Sequence, residues 1–238
     1  MKLARRIGRL LRKAMPSAIE RRLPDIARRM FTVFHALVPL TRLGRVDFYP
    51  ARELAWTAPI EAEWRAIRAE IDTVLADLRA LPNVQDVYAG QETIANDDKW
   101  KALTFCRGPG GWDEAACRQC PQTHRLLAQV PGLWHAMFSI LAPHKHIPAH
   151  KGVYGGLVDC HLGLVVPEPA ERCRIRVGTE VRQWEEGRFL VFDDSHEHEV
   201  WNDTEGVRAV LLMYVVRPLP APLSWLNMWI LRFATRVF

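Results

Sequence analysis

From residue 134 onward the chain is written in short apolar runs with turn residues between them, and no other feature restricts its fold as much. "AMFSILAP", "CHLGLVVP", "CRIRVG", "VRQW", "RFLVF", "HEVW" and "VRAVLLMYVVRP" are rich in β-branched and aromatic residues, and "KGVYGG", "PEPAE", "GTE", "EEGR" and "NDTEG" separate them. This spacing predicts a sandwich or double-sheet barrel, whose two sheets bury each other's inner faces. The period is different upstream. Residues 60–81 predict a helix, because Trp64, Ile67, Ile71, Val74, Leu75 and Leu78 recur at helical intervals. A strand over 99–106, a Gly/Pro turn and a short helix opening near Pro121 or Thr123 follow. The expected class is mainly β with N-terminal helices, a helical front half packed on a β-sandwich back half.

Charge separates the ends of the chain from its middle. The formal net charge is +5, yet residues 1–45 alone carry twelve Lys/Arg against Glu20 and Asp25, so the remainder is net acidic. A basic arm on an acidic domain argues against a nucleic-acid binder, and the arm interleaves aliphatic rather than aromatic residues with its charges. Leu3, Ile7, Leu10 and Leu11 share one helical face with arginines and lysines around them, and Pro16, Pro24 and Pro39 break the segment up. Residues 219–238 form an apolar, aromatic tail with late arginines. Both ends suit an anionic membrane surface. No apolar h-region follows the charged start, and no run nears the roughly 20 residues of a spanning helix. A cytoplasmic protein, peripheral on the inner face of the membrane, is the expectation. Five cysteines, with no disulfide-scaffold density, suit a reducing compartment. "CRQC" at 117–120 has knuckle spacing but no second pair, so incidental cysteines are expected there.

Histidines 144, 146, 150, 161, 196 and 198 gather around the predicted strands. A single core histidine is usually satisfied by a hydrogen bond, but several at strand ends read as metal chemistry, since neutral imidazole is the commonest protein ligand. In "VFDDSHEHEVWND", Asp194, His196 and His198 lie two apart in a run that reads as a strand, which would put them on one face. Ten residues on, Arg208 opens the apolar strand "RAVLLMYVV". A buried Arg needs an anion, either a fixed partner or the carboxylate of a bound cosubstrate.

At this point the residues carry a resemblance. "HIPAHKG…CHLGLVVP…CRIRVGTEVRQWEEGRFLVFDDSHEHEVWNDTEGVRAVLLMYVVRP" resembles the aspartyl/asparaginyl β-hydroxylase family, which includes lipid A 2-hydroxylases. The match is strong over roughly 134–218 and weaker back to "DDKWKALTF". The resemblance implies a double-stranded β-helix (jelly-roll) core and a dioxygenase that uses Fe(II), 2-oxoglutarate and O2. It implies His150 and His198 as iron ligands, and Arg208 with Ser139 for the distal carboxylate of 2-oxoglutarate. His161 would contact the cosubstrate, and Trp100 would stand at the pocket. His196 sits where relatives carry a bulky residue, and Asp193 and Asp194 are expected to fix their loop. Gly152 occupies the position where many oxygenases of the wider class place a third, carboxylate ligand; the family has glycine there too. Asp159 departs from the family's arginine, so it signals a changed substrate, a replacement metal carboxylate or reduced activity. The division expected is an arm (1–50), an oxygenase domain (51–218, β core about 134–218) and a tail (219–238). A lipid acyl chain at a membrane surface is the expected substrate, with peptidyl Asp/Asn as the alternative. A non-catalytic cupin-like binding module is the rival from another class, and the oligomeric state is left open.

Overall fold

The computed structural model describes residues 23–38, 46–88, 92–152 and 154–237. The expected amphipathic helix around Leu3 to Leu11 lies outside them. In chain order the helices are α1 (Leu23–Leu37), α2 (Thr57–Ala62), α3 (Trp64–Leu75), α4 (Val84–Val87), α5 (Glu114–Gln119), α6 (Pro121–Leu127) and α7 (Leu223–Val237). The strands are β1 (Phe48–Tyr49), β2 (Trp100–Arg107), β3 (Leu133–Leu141), β4 (Lys145–His150), β5 (Leu157–Val165), β6 (Cys173–Val177), β7 (Glu180–Gln183), β8 (Phe189–Phe192), β9 (His198–Asn202) and β10 (Arg208–Val216). They fall into two compact units: a β unit from residues 46–152 and 157–216, and a helical unit that includes α1, residues 154–156 and α7.

In the β unit every pairing is antiparallel. A six-stranded sheet runs β1-β8-β5-β10-β3-β2 and a four-stranded sheet runs β4-β9-β6-β7. The smaller sheet shows the period of two: Cys173, Ile175 and Val177 are buried in alternation with Arg174 and Arg176, as are His198, Val200 and Asn202 with Glu199 and Trp201. Cys173, Ile175, Val177 and Val200 form one apolar cluster with Met137, Leu141, Val210, Leu212 and Phe192 of the larger sheet. This is the pair of packed sheets that the strand spacing predicts, in the jelly-roll form that the resemblance implies. β10 lies between β5 and β3 and is buried along nearly its whole length, which is why its sequence is continuously apolar. Ile67, Ile71 and Val74 of α3 are buried, and α3 packs against β5.

The aromatic tail, for which the sequence predicts no conformation, is a helix, α7. Two expectations need correction. The helix expected over 60–81 breaks at Glu63 and its second part ends at Leu75, with a 3₁₀ turn over Leu78–Ala80. Asp194 and His196 are not in a strand: β9 begins at His198, and the residues before it turn through a loop. The common face expected for Asp194, His196 and His198 therefore does not exist.

The turn into β10 is held by Asn202, which is fully buried. Its amide donates to the carbonyls of Leu141, Ala142 and Gly206 at 3.3, 3.0 and 2.9 Å, and Thr204 Oγ1 donates to its Oδ1 at 2.7 Å. Asn202→Ala would strand these buried carbonyls, so a loss of about 3 kcal/mol in urea unfolding is expected, against about 1 kcal/mol for Thr204→Val. An unchanged midpoint for Asn202→Ala would contradict this.

Candidate active site

β4 is an edge strand, and Pro148 within it has no N–H to give to a ladder. Ile147 pairs with Val200, but the next pair is His150 with His198, so β4 spends one residue more than β9 over this span. This bulge places His150, rather than Ala149, opposite His198, with ring centroids 4.1 Å apart. Each ring is oriented by a carbonyl two residues earlier. His150 Nδ1 donates to Pro148 O at 2.8 Å and His198 Nδ1 to His196 O at 3.0 Å. That tautomer leaves a lone pair on each Nε2, the atom that a metal ion would take.

Electrostatics favour the same state. Burial, with repulsion from His150 second, pushes His198 down to about 4, and burial also lowers His150. Among the described residues no third His, Cys, Asp or Glu joins the pair in a metal cluster. The space of the class's third ligand is nevertheless filled: a Cβ on Gly152 would collide with Oδ2 of Asp194, whose carbonyl accepts from Gly152 N at 2.7 Å. Asp193 fixes the loop as expected, its Oδ1 accepting from the backbone N–H and the hydroxyl of Ser195 at 3.1 and 2.5 Å. His196 turns aside to Asp47, 2.6 Å from its Nδ1.

The larger sheet contributes a buried cation. Arg208 is 1% exposed. Its Nη1 reaches Ser139 O at 3.4 Å, its Cζ sits 4.5 Å from the centre of the Trp184 ring, and its Nε has no partner among the described residues. Burial holds its pKa down to about 10, so it stays charged at neutral pH. Trp100 Nε1 donates to Ser139 Oγ at 3.0 Å, and Trp184 Nε1 donates to His161 Nδ1 at 3.3 Å. His161 meets Phe192 edge-on at 5.0 Å, and Phe192 lies 5.8 Å from His198. Contacts thus run unbroken from Trp100 through Ser139, Arg208, Trp184, His161 and Phe192 to the imidazole pair, and the six residues singled out in the sequence are all on this path. Trp184 and Phe192 were not singled out. Their signal was present in "WEEG" and "VFDD", two of the stretches that carry the resemblance.

Asp159 lies beside His161, its Oδ1 3.2 Å from Nε2, and neither atom has a hydrogen-bond partner among the described residues. Its charge acts on both imidazoles of the pair and on Arg208. Cys117 and Cys120 are buried free thiols, with Cys120 pushed up to about 12, mainly by burial. That fits incidental cysteines, not redox or metal chemistry.

The lowered imidazoles predict acid sensitivity. Burial also pushes His135 down to about 4. In the unfolded chain each imidazole titrates near 6.5, so between those values the unfolded state takes protons that the folded state refuses. Stability is whole above about pH 6.5 and drains as pH falls toward 4, by roughly 3 kcal/mol for each imidazole shifted that far. Urea midpoints of the metal-free protein should already fall between pH 6.5 and 5, before carboxylates titrate. A flat midpoint there would mean that these rings are charged in the fold.

The chain is 42% identical over 193 residues to an ornithine lipid ester-linked acyl 2-hydroxylase of Rhizobium tropici, covering 81% of this chain and 68% of that protein. It is 33% identical over 168 residues to a human aspartyl/asparaginyl beta-hydroxylase, covering 68% of this chain and only 21% of that one. A crystal structure of a Pseudomonas putida prolyl-4-hydroxylase matches 78% of this chain at 18% identity with a TM-score of 0.41. The profile of the aspartyl/asparaginyl beta-hydroxylase family matches residues 61–218, and the chain belongs to that family of hydroxylases.

Proposed function

We propose that this protein is an Fe(II)- and 2-oxoglutarate-dependent dioxygenase that hydroxylates an unactivated C–H bond of a lipid acyl chain. The observation that carries the reading is the buried Arg208, a cation without a carboxylate partner among the described residues, joined by contacts to two imidazoles with free Nε2 lone pairs. A dicarboxylate with a chelating end suits both features. His150 and His198 would hold the metal, Arg208 and the Ser139 hydroxyl the distal carboxylate, and His161 the cosubstrate between them. With metal, cosubstrate and oxygen bound, the cofactor chemistry is oxidative decarboxylation coupled to hydroxylation. The chain's own residues orient and exclude water. Trp100 fixes the Ser139 hydroxyl, Trp184 covers the guanidinium and presents its N–H to His161, and Phe192 closes the space toward His198.

Asp159 favours the acyl chain over a peptidyl Asp. A substrate carboxylate brought near the metal would meet a buried like charge, which costs several kcal/mol. The similarity to an ornithine lipid acyl hydroxylase supports the same choice. A non-catalytic binding module has less support, because the anion site and the imidazole pair are both intact.

Mixed without oxygen, the protein, Fe(II) and 2-oxoglutarate should give the weak visible charge-transfer band of the chelate. His150→Ala and His198→Ala should lose it, and His196→Ala should keep it. Arg208→Met should weaken 2-oxoglutarate binding by roughly a hundredfold or more, matching the roughly 3 kcal/mol lost when a buried charge loses its partner. The cosubstrate-free variant should be no less stable than the parent, because an unpaired buried charge is gone. Unchanged 2-oxoglutarate affinity would place the carboxylate elsewhere. Asp159→Asn should keep the band while raising the affinity for acidic peptides; a lost band would make Asp159 part of the metal site.

A further inference from the structure

The helical unit has one bonded face and one bare face. On the bonded face the Tyr154 hydroxyl donates to Asn227 Oδ1 at 2.7 Å, Asn227 Nδ2 donates to Gly156 O at 2.8 Å, and Arg217 Nε donates to Gly155 O at 2.6 Å. Phe34 of α1 is buried beside Tyr154, with rings 5.4 Å apart. On the bare face, Trp225 is 72% exposed and Trp229 60%, with Leu226, Ile26 and Val33 also exposed. Trp225 and Trp229 are four residues apart, and Ile26, Met30 and Val33 are spaced by four and three, so each helix presents a stripe. Between α1 and α7 runs an open groove of about 280 Å³, lined by residues of both stripes and by Arg29.

We propose that this bare face of α1 and α7 is an interfacial anchor that docks on an anionic lipid surface. Two exposed tryptophans on a helix are costly in water, whereas the headgroup region takes both the indole ring and its N–H. Charge selects the partner. α1 and α7 carry Arg28, Arg29, Arg232 and Arg236 against Asp25, and residues 1–45 hold a surplus of ten positive charges. A second copy docked on this face would bring the arginines of α1 and α7 against themselves, while an anionic bilayer is attracted by them. No helix among the described residues is long and apolar enough to cross a membrane, so the contact is at the interface. The proposal complements the acyl-chain reading but stands on the helix pair alone.

The test is sedimentation of the full chain with vesicles of phosphatidylcholine, pure or mixed equally with phosphatidylglycerol, at low and high salt. The parent should sediment with the anionic vesicles and be partly released by salt. Trp225→Ala/Trp229→Ala should reduce partitioning by roughly tenfold for each tryptophan removed. Val33→Asp, placing an acid at the groove, should also reduce it. Both variants should keep the parent melting temperature and the Fe(II)/2-oxoglutarate band, so that loss of docking and loss of the oxygenase site are told apart. Equal binding by parent and double variant would overturn the proposal, as would absence of the parent from the anionic pellet. A parent dimer dissolved by the same substitutions would assign the face to a second copy instead.

Discussion

A guanidinium sealed inside the β unit without a carboxylate partner among the described residues is the interaction on which the rest of the site depends. Taking such a charge out of water costs several kcal/mol. Arg208 recovers part of it from the face of Trp184 and from the Ser139 carbonyl. Those partners have other tasks. Trp184 also reaches His161, and the Ser139 hydroxyl also accepts from Trp100. On the reading proposed, an anion would complete this cation, and the aromatic cover would strengthen the charge interaction made there by excluding water.

The two sheets divide the labour. The larger sheet supplies the cation and its polar neighbours, and the smaller one supplies the imidazole pair. Phe192, which ends β8, touches a histidine from each sheet, His161 and His198. On the reading proposed, a keto diacid has one end for each sheet, so its length is measured by the separation of the two layers rather than by any single loop. The absent third ligand belongs to the same economy. Glycine at 152 admits the Asp194 carboxylate into the space of a side chain, and a larger residue there would displace it.

Asp159 puts a buried carboxyl beside the path from Arg208 to the imidazole pair. It sits in β5 on the same face as His161, paired across to Tyr214 and Phe192. Nothing in the ladder depends on its side chain.

The two-sheet β class and the buried charge of Arg208 were legible in the sequence because alternation, turn residues and a charge in an apolar strand are local patterns, whereas Ser139, His198 and the jelly-roll form came only from the resemblance to a family. Local patterns also misled. "DDSHEHE" alternates like a strand, yet Asp193 captures the Ser195 backbone and hydroxyl and makes a loop of it. The periodic stretch over 60–81 gave no sign of its break at Glu63. What the sequence by itself determined is which residues carry charge, lone pairs and apolar surface, and where the chain turns. Tertiary structure alone decided that a bulge after Ile147 sets His150 against His198, that Trp184 covers Arg208, and that Asp194 occupies the space beside Gly152. Each of these depends on the register between strands far apart in the chain, and a one-residue slip in pairing, invisible to any local window, would turn those side chains to the opposite face.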